Sequence, residues 1–278
     1  MRKKIETIII FLFLSLFAMS TIYPVLNVLG VSFRTDNAFQ TKSLSIIEFK
    51  ETYTDKNNNG KWDSGSSLKS YRELFFKTDF FLWARNSILI SLIVTMTGVT
   101  FASIGGYALS RFKFKGREFG MTALLTTQMF PATMLLLPFF ILLSYLGLIN
   151  SYIGLIIIYS STALPFCIWQ MKGYYDTIPP SLEESARLDG CNRYQAFYKI
   201  ILPLSSPALV ITALFSFMAS WSEYVVAAII LQDPKLYTLP LGLKSFQASL
   251  STQWGLYAAG AIIVSIPVAI LFISLSSI

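Results

Sequence analysis

The sequence predicts an all-α membrane protein. It has six transmembrane helices, a polar extracytoplasmic loop after helix 1, and a cytoplasmic loop of two short helices between the fourth and fifth. Three observations carry this. Of the 278 residues, 54% are apolar and only 13% are charged, where a soluble domain holds about 25% charged residues. The missing charge is concentrated in long runs without Asp, Glu, Lys or Arg, each near the roughly 20 residues that a bilayer needs. The polar segment from Ser181 to Pro203, set between two apolar runs, carries helix signals of its own.

Arg2, Lys3 and Lys4 precede an apolar run from about Ile8 to Val31. A signal peptide has an apolar core of about 7–15 residues and then a small-residue cleavage site. This run is longer and continues through Tyr23, Pro24 and Leu26, so a retained helix is expected. The basic start puts the N-terminus in the cytoplasm. Residues 35–80 then form the extracytoplasmic loop, which is rich in acids. The second span is about Asn86 to Tyr107, followed by a dense basic turn, Arg111 to Arg117. The third is about Gly120 to Leu146, and the fourth about Ile153 to Gln170. Residues 173–203 form the cytoplasmic loop. The fifth span is about Pro207 to Leu231, the sixth about Leu256 to Ile278, and residues 1–278 form one transmembrane domain.

Lys and Arg divide equally between the two sides, but long loops count for little, and the Arg111–Arg117 turn then sets the orientation. Pro24, Pro131, Pro138, Pro165 and Pro267 fall within spans. Prolines there kink helices and are tolerated where neighbours cover the freed carbonyls. That suits a bundle with a pathway better than a passive anchor. The net charge of +7 lies largely in short loops at membrane ends and does not indicate nucleic acid. The sequence has no histidine, the commonest general base and metal ligand. Its two cysteines, Cys167 and Cys191, give no disulfide framework.

In the cytoplasmic loop, Ser181 and Glu184 have capping-box spacing, and Pro179 and Pro180 stop a helix from running straight in. The first helix is expected from Leu182 to Asp189, ended by Gly190 in a left-handed conformation. Asn192 and Gln195 offer a second cap. Tyr194, Phe197, Tyr198, Ile201 and Leu202 then trace one continuous apolar face at helical spacing. This geometry fits a docking element. It also fits an amphipathic loop lying on the inner leaflet, a surface that Arg187, Arg193 and Lys199 would suit.

Glu184, Ser185, Ala186, Asp189 and Gly190, followed by Ile200, Leu202 and Pro203, resemble the EAA-loop signature of ABC importer permeases. Ser185 stands where the family usually has its first Ala. The segments Gln128 to Ala132, Lys172 to Ile178 and Leu236 to Gly242 resemble the smaller permease subunit of maltose/maltodextrin importers. The resemblance implies a permease subunit of an ATP-driven sugar importer in a bacterial cell membrane. It implies a heterodimer with a second permease subunit, two cytoplasmic ATPase subunits and an extracytoplasmic sugar-binding protein. The loop residues above would couple to an ATPase. The chain has no GxxxxGK[ST] phosphate loop, so ATP and Mg belong to the partner subunits and the chain itself is no enzyme. Glu184 has two candidate roles, capping its own helix and pairing with a basic group on the ATPase. The rivals are an importer of the same class for another oligosaccharide and a stand-alone secondary transporter. The latter calls for inverted repeats and paired intramembrane charges, and neither is visible.

Two further sets are candidates. Asp55, Asn57, Asn59, Lys61 and Asp63, with Gly60, match the first part of an EF-hand calcium loop, but its twelfth position is Ser66 rather than Glu. A solvated Asn/Gly turn reads equally from the same residues. Glu223 is the one acid deep within an expected span, flanked by Trp221 and Tyr224, and Gln128 is a second polar group. These four residues either line a substrate pathway, with the aromatics stacking on a sugar face, or serve helix–helix hydrogen bonds.

Overall fold

The computed structural model describes residues 2–34, 68–247 and 252–275, and every regular element among them is helical. The calcium-type residues Asp55, Asn57, Asn59, Lys61 and Asp63 lie outside the described residues. In chain order the helices are α1 (Arg2–Ser32), α2 (Lys69–Lys77), α3 (Phe80–Arg111), α4 (Arg117–Thr127) and α5 (Leu136–Tyr145). Next come α6 (Tyr152–Thr177), α7 (Ser181–Leu188), α8 (Arg193–Ala196), α9 (Leu202–Leu204) and α10 (Ser206–Trp221). The last are α11 (Val225–Ile230), α12 (Leu239–Lys244) and α13 (Trp254–Leu275). They form two compact units: Met1–Phe80 with Gly242–Pro267, and Phe81–Leu241 with Val268–Ile278.

In the first unit, α1 turns apolar side chains outward from Ile8 to Val25 and is buried at its end, at Gly30, Val31 and Ser32. Outward apolar side chains are expected where the solvent is lipid, because hydrocarbon is as apolar as they are. The buried end is tied to α2: the hydroxyls of Ser32 and Tyr71 lie 2.9 Å apart, and the Phe33 and Tyr71 rings meet at 5.4 Å.

In the second unit, α3, α6 and α10 approach closely because small residues stand at the crossings. A Cβ at Gly98 would lie 2.5 Å from the Ser216 Oγ of α10, and one at Gly106 would lie 2.8 Å from the Met171 Cβ of α6. Glycine is a steric requirement at Gly106, where the added Cβ would also lie 2.9 Å from the Lys172 backbone N, whereas at Gly98 the Ser216 hydroxyl would have to turn aside. Ser216 uses the closeness to donate to the Val94 carbonyl at 3.2 Å. One apolar cluster joins Ile90, Val94, Leu143, Ile158 and Ile230. A second joins Ala102, Met171, Tyr175, Phe197 and Ile201 beneath the loop that contains α7 and α8.

Among the described residues, four helices are long and apolar enough to cross a membrane: Glu6–Ser32, Phe80–Arg111, Tyr152–Thr177 and Trp254–Ser274. A fifth candidate is the pair Arg193–Leu204 and Ser206–Trp221, bent by 76°. The expected third span, 120–146, is not one helix. It is α4, an irregular stretch from Gln128 to Pro131, a 3-10 turn over Ala132–Leu135, and then α5. Pro131 explains the break, since it has no N–H to donate and it disfavours a helical residue before it. The expected fifth span is also interrupted, at Ser222 to Tyr224 between α10 and α11. Pro165, by contrast, sits inside a continuous α6.

Candidate functional site

The loop between α6 and α10 is assembled from three local devices. At the end of α7, Gly190 has φ +91°, its N–H donates to the Arg187 carbonyl (3.1 Å), and the Cys191 N–H reaches the Ala186 carbonyl (3.0 Å). These two bonds are a Schellman motif, which closes the last carbonyls of the helix and needs a left-handed residue. At the start of α8, the Gln195 N–H donates to Asn192 Oδ1 (2.9 Å) and the Asn192 N–H donates to Gln195 Oε1 (2.8 Å). This is the expected second capping box. A wide π turn over Phe197–Ile201 follows, in which the Leu202 N–H reaches back to the Phe197 carbonyl.

Two expectations fail here for identifiable reasons. The Ser181–Glu184 box does not form. Pro180 is already helical and its carbonyl accepts from both the Glu183 and Glu184 amides, so the donor that Ser181 would cap is taken. The helix therefore runs Ser181–Leu188, one residue earlier than expected at both ends. Nor is the face of the second helix continuous. The π turn widens the spacing, so Phe197 and Ile201 are buried while Tyr194 (79% exposed) and Tyr198 face outward. Leu188 at the end of α7 is 88% exposed. Glu184, Ser185, Asp189, Gly190 and Pro203 are exposed, Ala186 is buried, and Ile200 and Leu202 are half-buried.

What holds the loop to the membrane helices is Glu183, a residue that sequence reasoning missed. Its carboxylate accepts from Arg111 Nε (2.5 Å) and from the Tyr107 hydroxyl (2.8 Å), both at the end of α3. Arg111 also donates to the Ile178 carbonyl at 2.8 Å. The Arg111 and Glu183 side chains are only 13% and 14% exposed, so the pair is largely shielded from water. Beside it, Ser110 and Lys172 both donate to the Asp176 carboxylate. The Tyr107 ring packs against Phe197 at 4.5 Å and Tyr175 at 5.9 Å, which locks the π turn onto α3 and α6. Only the basic turn at Arg111 hinted at this, because its partner lies 72 residues away in sequence.

The second set of candidate residues meets at the two helix breaks, and α6 joins them. Glu223 accepts from the Val225 and Val226 amides through Oε1 at 2.9 and 3.0 Å, and from the Tyr159 hydroxyl through Oε2 at 2.7 Å. It thereby satisfies the amides that the break frees at the start of α11. Gln128, at the other break, donates through Nε2 to the Thr162 carbonyl at 3.2 Å. Tyr159 and Thr162 are one turn apart on α6, so both polar groups lie along one stretch of that helix. Trp221 departs from the expectation: it is 2% exposed and stacked on Phe217 at 5.4 Å, so its ring is not presented for a sugar. Tyr224 is exposed beside Glu223.

Interrupted apolar helices whose freed amides are met by side chains are a feature of polytopic transport proteins. Comparison with known proteins is specific on this point. Residues 98–278 match the family described as binding-protein-dependent transport system inner membrane component, and the chain belongs to that family. It is a transport component of the ABC importer permease class and not an enzyme. The chain is 34% identical over 273 residues to the maltodextrin transport system permease protein MdxG of Bacillus subtilis (strain 168), covering 97% of this chain and 91% of that one. It is 35% identical over 278 residues to the galactooligosaccharides transport system permease protein GanQ of the same organism, covering 99% and 92%. Among solved structures it resembles a chain of a bacterial ABC transporter involved in the import of the acidic polysaccharide alginate. That match has a TM-score of 0.80 at 24% identity over 99% of this chain and 96% of that one, so the two share a fold.

Proposed function

We propose that this chain is a membrane permease subunit of an ATP-driven importer for oligosaccharides of the maltodextrin type. In this reading it receives sugar from an extracytoplasmic binding protein, pairs with a second permease subunit, and is driven by two cytoplasmic ATPase subunits that carry the ATP and Mg. The chain crosses a bacterial cell membrane six times from a cytoplasmic N-terminus, with α4 and α5 as a broken third crossing and α10 with α11 as a broken fifth. The loop over residues 173–203 couples to an ATPase, and residues 35–80 face the binding protein. The observation that carries the reading is end-to-end similarity to oligosaccharide permeases. The exposed Leu188 and Tyr194 on a loop otherwise fixed by caps and by Glu183 add to it.

Equal similarity to a galactooligosaccharide permease favours a second reading, an importer of the same class for galactose-containing oligosaccharides. Uptake of labelled maltotriose and of a labelled galactotriose, by cells with and without this gene, separates the two. Loss of maltotriose uptake on deletion supports the first. Loss of galactotriose uptake alone replaces it with the second, and loss of neither removes both.

The calcium-type pattern from Asp55 to Asp63 carries a separate proposal, a weak site of about 10⁻⁴–10⁻³ M affinity. Calorimetric titration of millimolar Ca²⁺ that releases no heat rejects it.

A further inference from the structure

The side chains of the basic turn between α3 and α4 fall into two groups. Arg111 is committed to Glu183 and the Ile178 carbonyl. Phe112, though 38% exposed, is partnered, with the Arg193 guanidinium 5.5 Å over its ring and the Tyr107 ring edge-on at 6.1 Å. Lys113 and Lys115, by contrast, are exposed and make no hydrogen bond or ion pair. Phe114 and Phe119 are 51% and 79% exposed. Lys113, Phe114, Gly116, Arg117, Glu118 and Phe119 line an open groove of about 520 Å³. Glu118 is the one acid in that lining, so the groove with Lys115 beside it is cationic.

The chain's length confines this turn. Only the five residues 112–116 join the end of α3 to the start of α4. At about 3.3–3.6 Å per residue, an out-and-back excursion reaches about 9 Å beyond the helix ends. The headgroup layer on each side of a bilayer is about 5–8 Å thick, taking the core as about 30 Å of a total of about 40–45 Å. The turn therefore stays close to the headgroup layer, beside a helix long and apolar enough to span. Exposed lysines there meet phosphates, and exposed phenyl rings reach the boundary with the acyl chains. An acidic protein surface would engage the lysines but leave the two rings without a purpose. The apolar side chains offered outward from the neighbouring loop, Leu188 and Tyr194, lie on other elements.

We propose that the Lys113–Phe119 turn is a docking site for anionic phospholipid, with Lys113 and Lys115 on the headgroup phosphates and Phe114 and Phe119 at the acyl boundary. The proposal rests on the membrane placement of α3 and not on the sugar. Native mass spectrometry of the full chain, with dioleoylphosphatidylglycerol or dioleoylphosphatidylcholine added at matched concentrations, tests it. The wild-type chain retains phosphatidylglycerol in preference. The double variant Lys113→Gln/Lys115→Gln weakens that lipid by about thirtyfold, which is about 1 kcal/mol per lysine, and leaves phosphatidylcholine unchanged. Lys113→Arg/Lys115→Arg keeps the preference, and Phe114→Ser/Phe119→Ser weakens both lipids. Equal phosphatidylglycerol retention by wild type and the glutamine variant overturns the proposal. So does displacement of the lipid by millimolar inorganic phosphate, which would make this a phosphate site. A glutamine variant that keeps its lipids but sheds ATPase subunits from the assembled importer also overturns it, in favour of a protein interface.

Discussion

Replacing Glu183 with alanine removes the acceptor for Arg111 Nε and for the Tyr107 hydroxyl together. A hydrogen bond to a charged group contributes about 1.5–3 kcal/mol and a neutral one about 1 kcal/mol. Breaking a fully buried ion pair by removing one partner costs about 3–5 kcal/mol. The Arg111–Glu183 pair keeps 13% and 14% exposure, so the low end applies, about 3 kcal/mol. That energy falls on the attachment of α7 to α3 rather than on the whole bundle, because α7 has no other side-chain tie to α3 among the bonds described. Hydrogen–deuterium exchange of the chain in nanodiscs reads it directly, since local opening free energies set amide protection. Amides of residues 182–189 exchange about a hundredfold faster in Glu183→Ala, at tenfold per about 1.4 kcal/mol. Glu184→Ala is the control. Its side chain is exposed and unpaired, so α7 protection stays within about 0.5 kcal/mol of wild type. Identical deuterium uptake over 182–189 in wild type and Glu183→Ala would refute the anchoring argument.

Three more outcomes follow from the same geometry. Gly190→Val places a β-branched residue at φ +91°, costing about 1–2 kcal/mol or more. Membrane insertion is retained but sugar-stimulated ATPase activity of the reconstituted complex is lost, and normal stimulation would disprove the need for this turn. Glu223→Ala leaves the buried Tyr159 hydroxyl and the Val225 and Val226 amides without their acceptor, at about 1–3 kcal/mol per group. Its thermal midpoint falls by several degrees and Glu223→Gln falls less; an unchanged midpoint with reduced transport would instead make Glu223 a substrate contact. Gly106→Val drives a side chain into the Met171 Cβ and the Lys172 backbone, an overpacking cost of about 1–3 kcal/mol visible as a lowered melting temperature in detergent.

Local signals in the sequence translated into structure, and distant ones did not. Gly190 and the Asn192–Gln195 cap were legible because each is settled within a few residues by backbone geometry. The Ser181–Glu184 pattern was equally local, but Pro180 entered the helix and its carbonyl took the amide that the serine needed. The apolar stripe from Tyr194 to Leu202 assumed 3.6 residues per turn, and the π turn changed that period in mid-stripe. Hydropathy finds an apolar run but not a break within it, so α4–α5 and α10–α11 read as single spans. Of the two breaks, only Pro131 advertised itself. Glu183 stayed hidden because its partners lie on α3, and nothing within its own loop ranks it above Glu184. The groups around Glu223 were half visible: the acid was singled out, but its role as acceptor for the α11 amides depends on a break that periodicity does not reveal.

The 76° bend between Arg193–Leu204 and α10 has a mechanical consequence. Its corner is Ser205, fully buried, whose N–H and hydroxyl both reach the Ile201 carbonyl while its own carbonyl accepts the Leu209 N–H. Bonds therefore run unbroken around the corner, and the two arms turn together as a bell crank. At 1.5 Å per residue the short arm is about 18 Å and the long arm about 24 Å. A sideways push of 3 Å at Arg193, on that estimate, swings the far end of α10 by about 4 Å. That far end is Trp221, next to the gap that Glu223 bridges. The crank thus delivers its largest displacement two residues before Glu223, whose hydrogen bonds join α11 to α6.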